Sequence, residues 1–112
     1  MIYSLDKLKE LADGDEDFIQ SVVAVFLDEV PEDLGQQEVA IKQKNYPFIY
    51  QLAHKIKSNV DLLGMEHTRA VPLEIENLGK QGNTGEQLDK IFPIFKNDIH
   101  QVVSELKKNF NL

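Results

Sequence analysis

The sequence predicts an all-α protein: an up-down antiparallel four-helix bundle with a short accessory N-terminal helix. Three observations predict it. Four long segments repeat their apolar residues at intervals of three and four, short polar turns rich in Asp, Asn and Gly separate them, and no stretch alternates with the period of a strand. The chain has 112 residues, 42% of them hydrophobic and 28% charged, so residues 1–112 are read as one globular domain able to bury its own core.

Ser4 can cap a first short helix, Leu5 to Ala12, whose Leu5, Leu8 and Leu11 with Ala12 make a narrow stripe that Asp13-Gly14 ends. Asp15 caps the second helix, and Glu16 and Asp17 favour the positive end of its dipole. Ile19, Val22, Val23, Phe26, Val30, Leu34 and Ile41 keep a helical period across Pro31, so a kinked helix should reach about Lys44. Asn45 and Pro47 start the third helix near Tyr46, and Gly64 should close it. From Met65 to Leu78 the stripe is Val71, Ile75 and Leu78. Pro72 there demands a kink or a late start, and Gly79 and Gly82 are read as the close. Thr84-Gly85-Glu86-Gln87 has the form of a capping box. It opens a last helix whose apolar face runs from Leu88 to Phe110, with a kink at Pro93. Apart from the aromatics of the third helix, the phenylalanines are assigned to the core.

Composition excludes several function classes. Without cysteine there are no disulfides and no thiolate metal sites. The N-terminus lacks an export signal, and no run approaches the roughly 18 apolar residues of a membrane helix, so a cytoplasmic protein is expected, with no membrane contact of its own and any tie to one made through a partner. A net charge of −7 argues against nucleic acid. Acidic residues crowd Asp6 to Asp33 against only Lys7 and Lys9. From Leu34 to Met65 the sign reverses, as Lys42, Lys44, Lys55 and Lys57 outnumber Glu38 and Asp61.

That basic zone surrounds His54. On the third helix Ile49, Leu52, Ile56, Val60 and Leu63 share one face, which leaves His54 on the polar side with Tyr50, Gln51, Lys57, Ser58 and Asp61. A solvent-exposed imidazole has an uncharged form at neutral pH whose lone pair can attack an electrophile. A phosphoryl group fits the neighbours: Lys57 can set an ammonium beside its oxygens, and small Ser58 leaves room above the ring. Lys55, about 100° round the helix, can equally be an ordinary solvated lysine. His67 and His100 have no comparable surroundings, and no pair of histidines has metal-ligand spacing, so no metal is expected.

Ala53-His54-x-Ile56-Lys57-Ser58 with Leu63-Gly64 resembles the signature of histidine-containing phosphotransfer (HPt) domains of two-component phosphorelays, usually Ala-His-x-Leu-Lys-Gly-Ser followed by Leu-Gly. Ser58 stands where the family mostly has glycine, and Asn59 where it mostly has serine. Asn59 also falls toward the buried side, where its amide needs partners. The helix lengths, turns and second-helix proline resemble the family along nearly the whole chain.

The resemblance implies a phosphorelay intermediate, not an enzyme with its own ATP site. His54 would accept a phosphoryl group from a receiver-domain aspartyl phosphate and pass it to another receiver, with Lys57 stabilising the group. Gln51, Lys55, Ser58, Asp61 and Leu62, with Lys57, would form the landing patch. It implies no bound cofactor, Mg²⁺ being supplied by the receiver, and a monomer whose partners are response-regulator receivers and a hybrid sensor histidine kinase. Two alternatives remain open at this level: a bundle used only for protein interaction, with His54 unphosphorylated, and the phosphoacceptor domain of a chemotaxis-type histidine kinase.

Overall fold

A computed structural model of the chain describes residues 3–65, 68–82 and 85–110. The described residues form five helices and no strand: α1 (Asp6–Ala12), α2 (Glu16–Lys42), α3 (Tyr46–Leu62), α4 (Ala70–Gln81) and α5 (Gly85–Phe110). Helix α2 packs on α3 and α5, and α4 packs on the same two, so the four longer helices close a ring around one core. Phe26, Val30, Ile49, Ile56, Ile75, Phe95 and Ile99 are among the side chains sealed inside it. Each such burial stabilises the fold by roughly 1.5–3 kcal/mol relative to an exposed side chain.

Helix α1 begins one residue later than the sequence reading. Leu5 holds the N-cap position, and the Ser4 hydroxyl accepts a hydrogen bond from the Asp6 N–H at 3.3 Å. The expected stripe is narrower than read: Leu8 is fully buried and Leu5 and Ala12 pack partly against the core, but Leu11 is 59% exposed, on the side of this short helix turned away from α2. Asp13 at φ 49° and Gly14 at φ 89° then turn the chain.

Asp15 caps α2 by accepting from the Phe18 N–H at 3.2 Å. Phe18 itself is 41% exposed, contrary to its assignment to the core. Ile19 and Val23 point into the bundle, which rotates residue 18 off the buried face. The helix runs on through Pro31 and ends at Lys42, two residues early. Lys44 takes a left-handed conformation (φ 58°), and the Asn45 N–H returns to the Ala40 carbonyl at 2.9 Å. Asn45 caps α3 through the Phe48 N–H, with Pro47 in the first turn.

Two polar contacts fix how α2 lies on α3. Fully buried Gln37 donates from Nε2 to the Ile49 carbonyl at 3.2 Å, and Lys55 Nζ sits 3.1 Å from Oδ2 of buried Asp33. As numbering falls along α2 it rises along α3, so the two run in opposite directions. Gly64 (φ 59°) closes α3, and no other residue fits there: a Cβ would lie 2.9 Å from the Ser4 carbonyl oxygen. Ser4 N–H in turn donates to the Leu63 carbonyl at 2.8 Å, and Asn109 Nδ2 donates to the hydroxyl of buried Tyr3, so the N-terminal segment joins the ends of α3 and α5.

Helix α4 has the late start that Pro72 demands, beginning at Ala70 with the proline in its first turn. Gly79 does not close it. The helix continues to Gln81, Gly82 (φ 68°) caps it, and Gly79 is buried in its last turn against Tyr50 of α3. The Thr84 member of the expected capping box and His67 lie outside the described residues.

Candidate functional site

His54 stands on the outer face of α3 because Leu52, Ala53 and Ile56 take the inner one. Its side chain is 68% exposed. Its Nδ1 nevertheless lies 2.9 Å from Oε2 of Glu76, whose side chain is only 8% exposed. Glu76 comes from α4, on the same face as Pro72, Ile75 and Gly79, all buried. A buried carboxylate needs compensating charge. Here Lys57 Nζ of α3 and Lys80 Nζ of α4 lie 3.8 and 3.9 Å from Oε1.

The hydrogen bond has a chemical consequence. A carboxylate can only accept, so Nδ1–H is the donor, and in the neutral ring Nε2 is the nitrogen that keeps the lone pair. Lys80 also stands over the Tyr50 ring, 5.9 Å from its centroid. Tyr50, Gln51, His54, Glu76 and Lys80 line an open cleft of about 260 Å³ beside the imidazole.

The other residues singled out in the sequence sit around the ring. Gln51 is exposed on the rim of that cleft. Ser58 Oγ donates to the His54 carbonyl at 3.3 Å, which turns the hydroxyl back along the helix and keeps it low beside the ring. Asn59 resolves its amide the same way, Nδ2 donating to the Lys55 carbonyl at 3.5 Å. Asp61 is half-buried and pairs with Arg69 Nε at 3.3 Å, and Leu62 is half-buried at the end of the helix. Lys55 turns away from the imidazole toward α2, where its hydrogen bond to Asp33, reinforced by Glu29 and Glu32, raises its pKa. Lys57 turns the other way, toward α4 and Glu76.

Glu76, Lys80 and Asp33 were not singled out in the sequence. Glu76 left a signal: it lies on the same α4 face as Pro72, Ile75 and Gly79, and an acid on an apolar face requires a cationic or proton-donating partner. Taking Val71, Ile75 and Leu78 as the stripe hid that. His100, exposed on α5, stands near Glu38 and Lys96 and takes no part in this site.

A described scaffold of helices that holds an exposed histidine oriented from behind by a carboxylate and flanked by lysines is of a class suited to carrying a group on imidazole nitrogen. Sequence comparison gives the family: the sequence model of the Hpt domain matches residues 21–108, and the chain belongs to that family, whose members carry phosphoryl groups in two-component signalling. No curated protein and no solved structure matches the chain. Among the described residues no helix is long and apolar enough to cross a membrane.

Proposed function

We propose that the chain is a cytoplasmic phosphorelay intermediate, a single domain folded as an up-down antiparallel four-helix bundle, in which His54 is the phosphoryl carrier. The observation that carries this reading is the 2.9 Å bond from His54 Nδ1 to Glu76, which favours Nε2 as the nucleophile. The opposed directions of α2 and α3, and the pairing of Tyr50 with Gly79 and His54 with Glu76 across α3 and α4, support the up-down topology.

The Nε2 lone pair attacks the phosphorus of an aspartyl phosphate on a receiver domain, a P–N bond forms, and the P–O bond to the aspartate breaks, releasing its carboxylate. Glu76 offsets the positive charge that develops on the ring and holds the Nδ1 proton throughout. Lys57 and Lys80 lie close enough to exchange the Glu76 carboxylate for the incoming phosphoryl oxygens, which add about −1.5 to −2 charge to the site. Transfer to a second receiver is the same step reversed. The receiver brings the aspartate and Mg²⁺, while this chain brings a positioned nucleophile and a docking face around Gln51, Lys55, Ser58, Asp61 and Leu62. A hybrid sensor kinase is the expected upstream source, and the domain acts as a monomer.

Incubation with a ³²P-labelled receiver and Mg²⁺ tests this. The label should move to the chain, survive alkali and be lost in acid, as a phosphoramidate is, and His54→Gln should fold normally and take up none. Labelling of that variant at His67 or His100 would overturn the assignment.

A further inference from the structure

We infer that Gly79 is a positioning residue for His54: its missing side chain lets α4 close onto Tyr50 at the separation from which Glu76 reaches Nδ1. This rests on the reading of His54 as the phosphoryl carrier.

The steric case is specific. A Cβ at position 79 would lie 3.0 Å from the Tyr50 Cβ, 3.2 Å from the Tyr50 backbone N and 3.4 Å from the Tyr46 carbonyl oxygen. None of these atoms is the end of a flexible side chain. All three belong to the first turns of α3, so relief requires one helix to move relative to the other. Ordinary helix propensity points the other way, since glycine within a helix is disfavoured against alanine. A glycine that does not end its helix and lies this close to Tyr50 therefore reports a requirement for close approach.

Glu76 lies one turn from Gly79 on the same face of α4, and His54 lies one turn from Tyr50 on the same face of α3. The glycine contact and the carboxylate–imidazole bond are thus successive rungs of one helix pairing. Lys80, the next residue, stands over the Tyr50 ring, so the rung that sets the helix spacing also places a cation in the cleft beside His54. A side chain at 79 should wedge the rung open, lengthen the 2.9 Å bond and free the imidazole to populate both tautomers.

Ring-nitrogen NMR of His54 reads the tautomer without any phosphoryl transfer, and uptake from a phosphorylated receiver reads the chemistry. Wild type should show Nδ1 protonated. Gly79→Ala should shift both ring nitrogens toward averaged values and slow uptake about threefold to tenfold, and Gly79→Leu should do more. Leu88→Ala, in the core on α5, serves as the control that loses stability without changing a residue of α3 or α4, and it should leave the tautomer as in wild type. In a Glu76→Ala background, Gly79→Ala should add no further loss of uptake, because the two act through one bond. A wild-type tautomer in both Gly79 variants would overturn the inference, as would a tautomer shift of the same size in Leu88→Ala. A tautomer shift with undiminished uptake would uphold the spacing role and overturn instead the assignment of Nε2 as the attacking atom.

Discussion

His54 and Glu76 meet across α3 and α4 as an exposed base and a buried acid, 2.9 Å apart, so the ring is free on one edge and held on the other. The polarity of that bond sets what each partner contributes. Glu76→Gln keeps the shape but replaces an obligate acceptor with a group that can donate as well. Stability should change by no more than about 1 kcal/mol, while the rate of phosphoryl uptake should fall about tenfold or more. Parallel denaturation and uptake measurements check this; equal uptake by wild type and variant would remove Glu76 from the chemistry.

The two lysines beside the histidine separate by direction. Lys57 faces Glu76 and Lys55 faces Asp33. Lys57→Ala should leave thermal stability nearly unchanged, since a pairing of this kind contributes about 1 kcal/mol or less. It should shorten the phosphohistidine lifetime or slow transfer about several-fold. Lys55→Ala should leave the lifetime intact and act on receiver affinity. Comparing both quantities in both variants tests the geometry, and a lifetime defect confined to Lys55→Ala would reverse the assignment.

Core and surface on α3 should respond differently. Leu52→Ala or Ile56→Ala should cost about 2–5 kcal/mol through lost burial and the cavity left behind. Asp61→Ala, which loses one partly exposed pair with Arg69, should cost about 1 kcal/mol or less. Leu11→Ala, on the exposed side of α1, should lie within about 0.5 kcal/mol of wild type. Urea midpoints for the four variants check the ranking.

Glu38 and Lys55 give opposite pH signatures. The hydrogen bond from Lys96 at 2.8 Å lowers the pKa of Glu38, so the pair stabilises the fold above the ordinary glutamate range, and that contribution disappears as pH falls through the lowered value. The pKa of Lys55 is raised by Asp33, so its contribution is complete below the ordinary lysine value and is lost as pH climbs through the raised one. The stability gap between wild type and Lys96→Met should therefore close in acid, and that between wild type and Lys55→Met should close in alkali. Melting temperatures from pH 3 to 11, about the span that brackets both ordinary values, show whether each gap closes on its own side.

The fold was largely legible because helical periodicity and caps are local. Asp15, Asn45 and Gly64 each do at their helix ends what their chemistry suggests. Position 54 was legible for the same reason, since its exposure follows from Leu52, Ala53 and Ile56 being apolar. The partners of the site were not. Glu76 and Asp33 acquire their roles from helices that meet only in three dimensions: an acid on the apolar face of α4 signals that a partner is needed, but not which helix supplies it. Gly79 misled for a related reason: a glycine near a helix end suggests termination, and only the neighbouring helix reveals that it serves close packing. Phe18 and Leu11 misled through composition, as large apolar residues whose helix faces have no neighbour to cover them.

The pairing of α3 with α4, the most extensive among the described residues, also bears on the order in which the chain assembles. Those helices are consecutive, so bringing them together closes a short loop at little entropic cost. The seam of α2 with α5, and the link from Tyr3 to Asn109 across 106 positions of sequence, demand far longer closures. The helical hairpin bearing His54, Lys57, Glu76 and Lys80 should gain protection first in pulse-labelled hydrogen exchange, with the N-terminal segment and the end of α5 joining last. Local opening of those late-joining contacts in the native state should then leave the imidazole's environment intact, so that the seam from Tyr3 to Asn109 can part without loss of the capacity to carry the group.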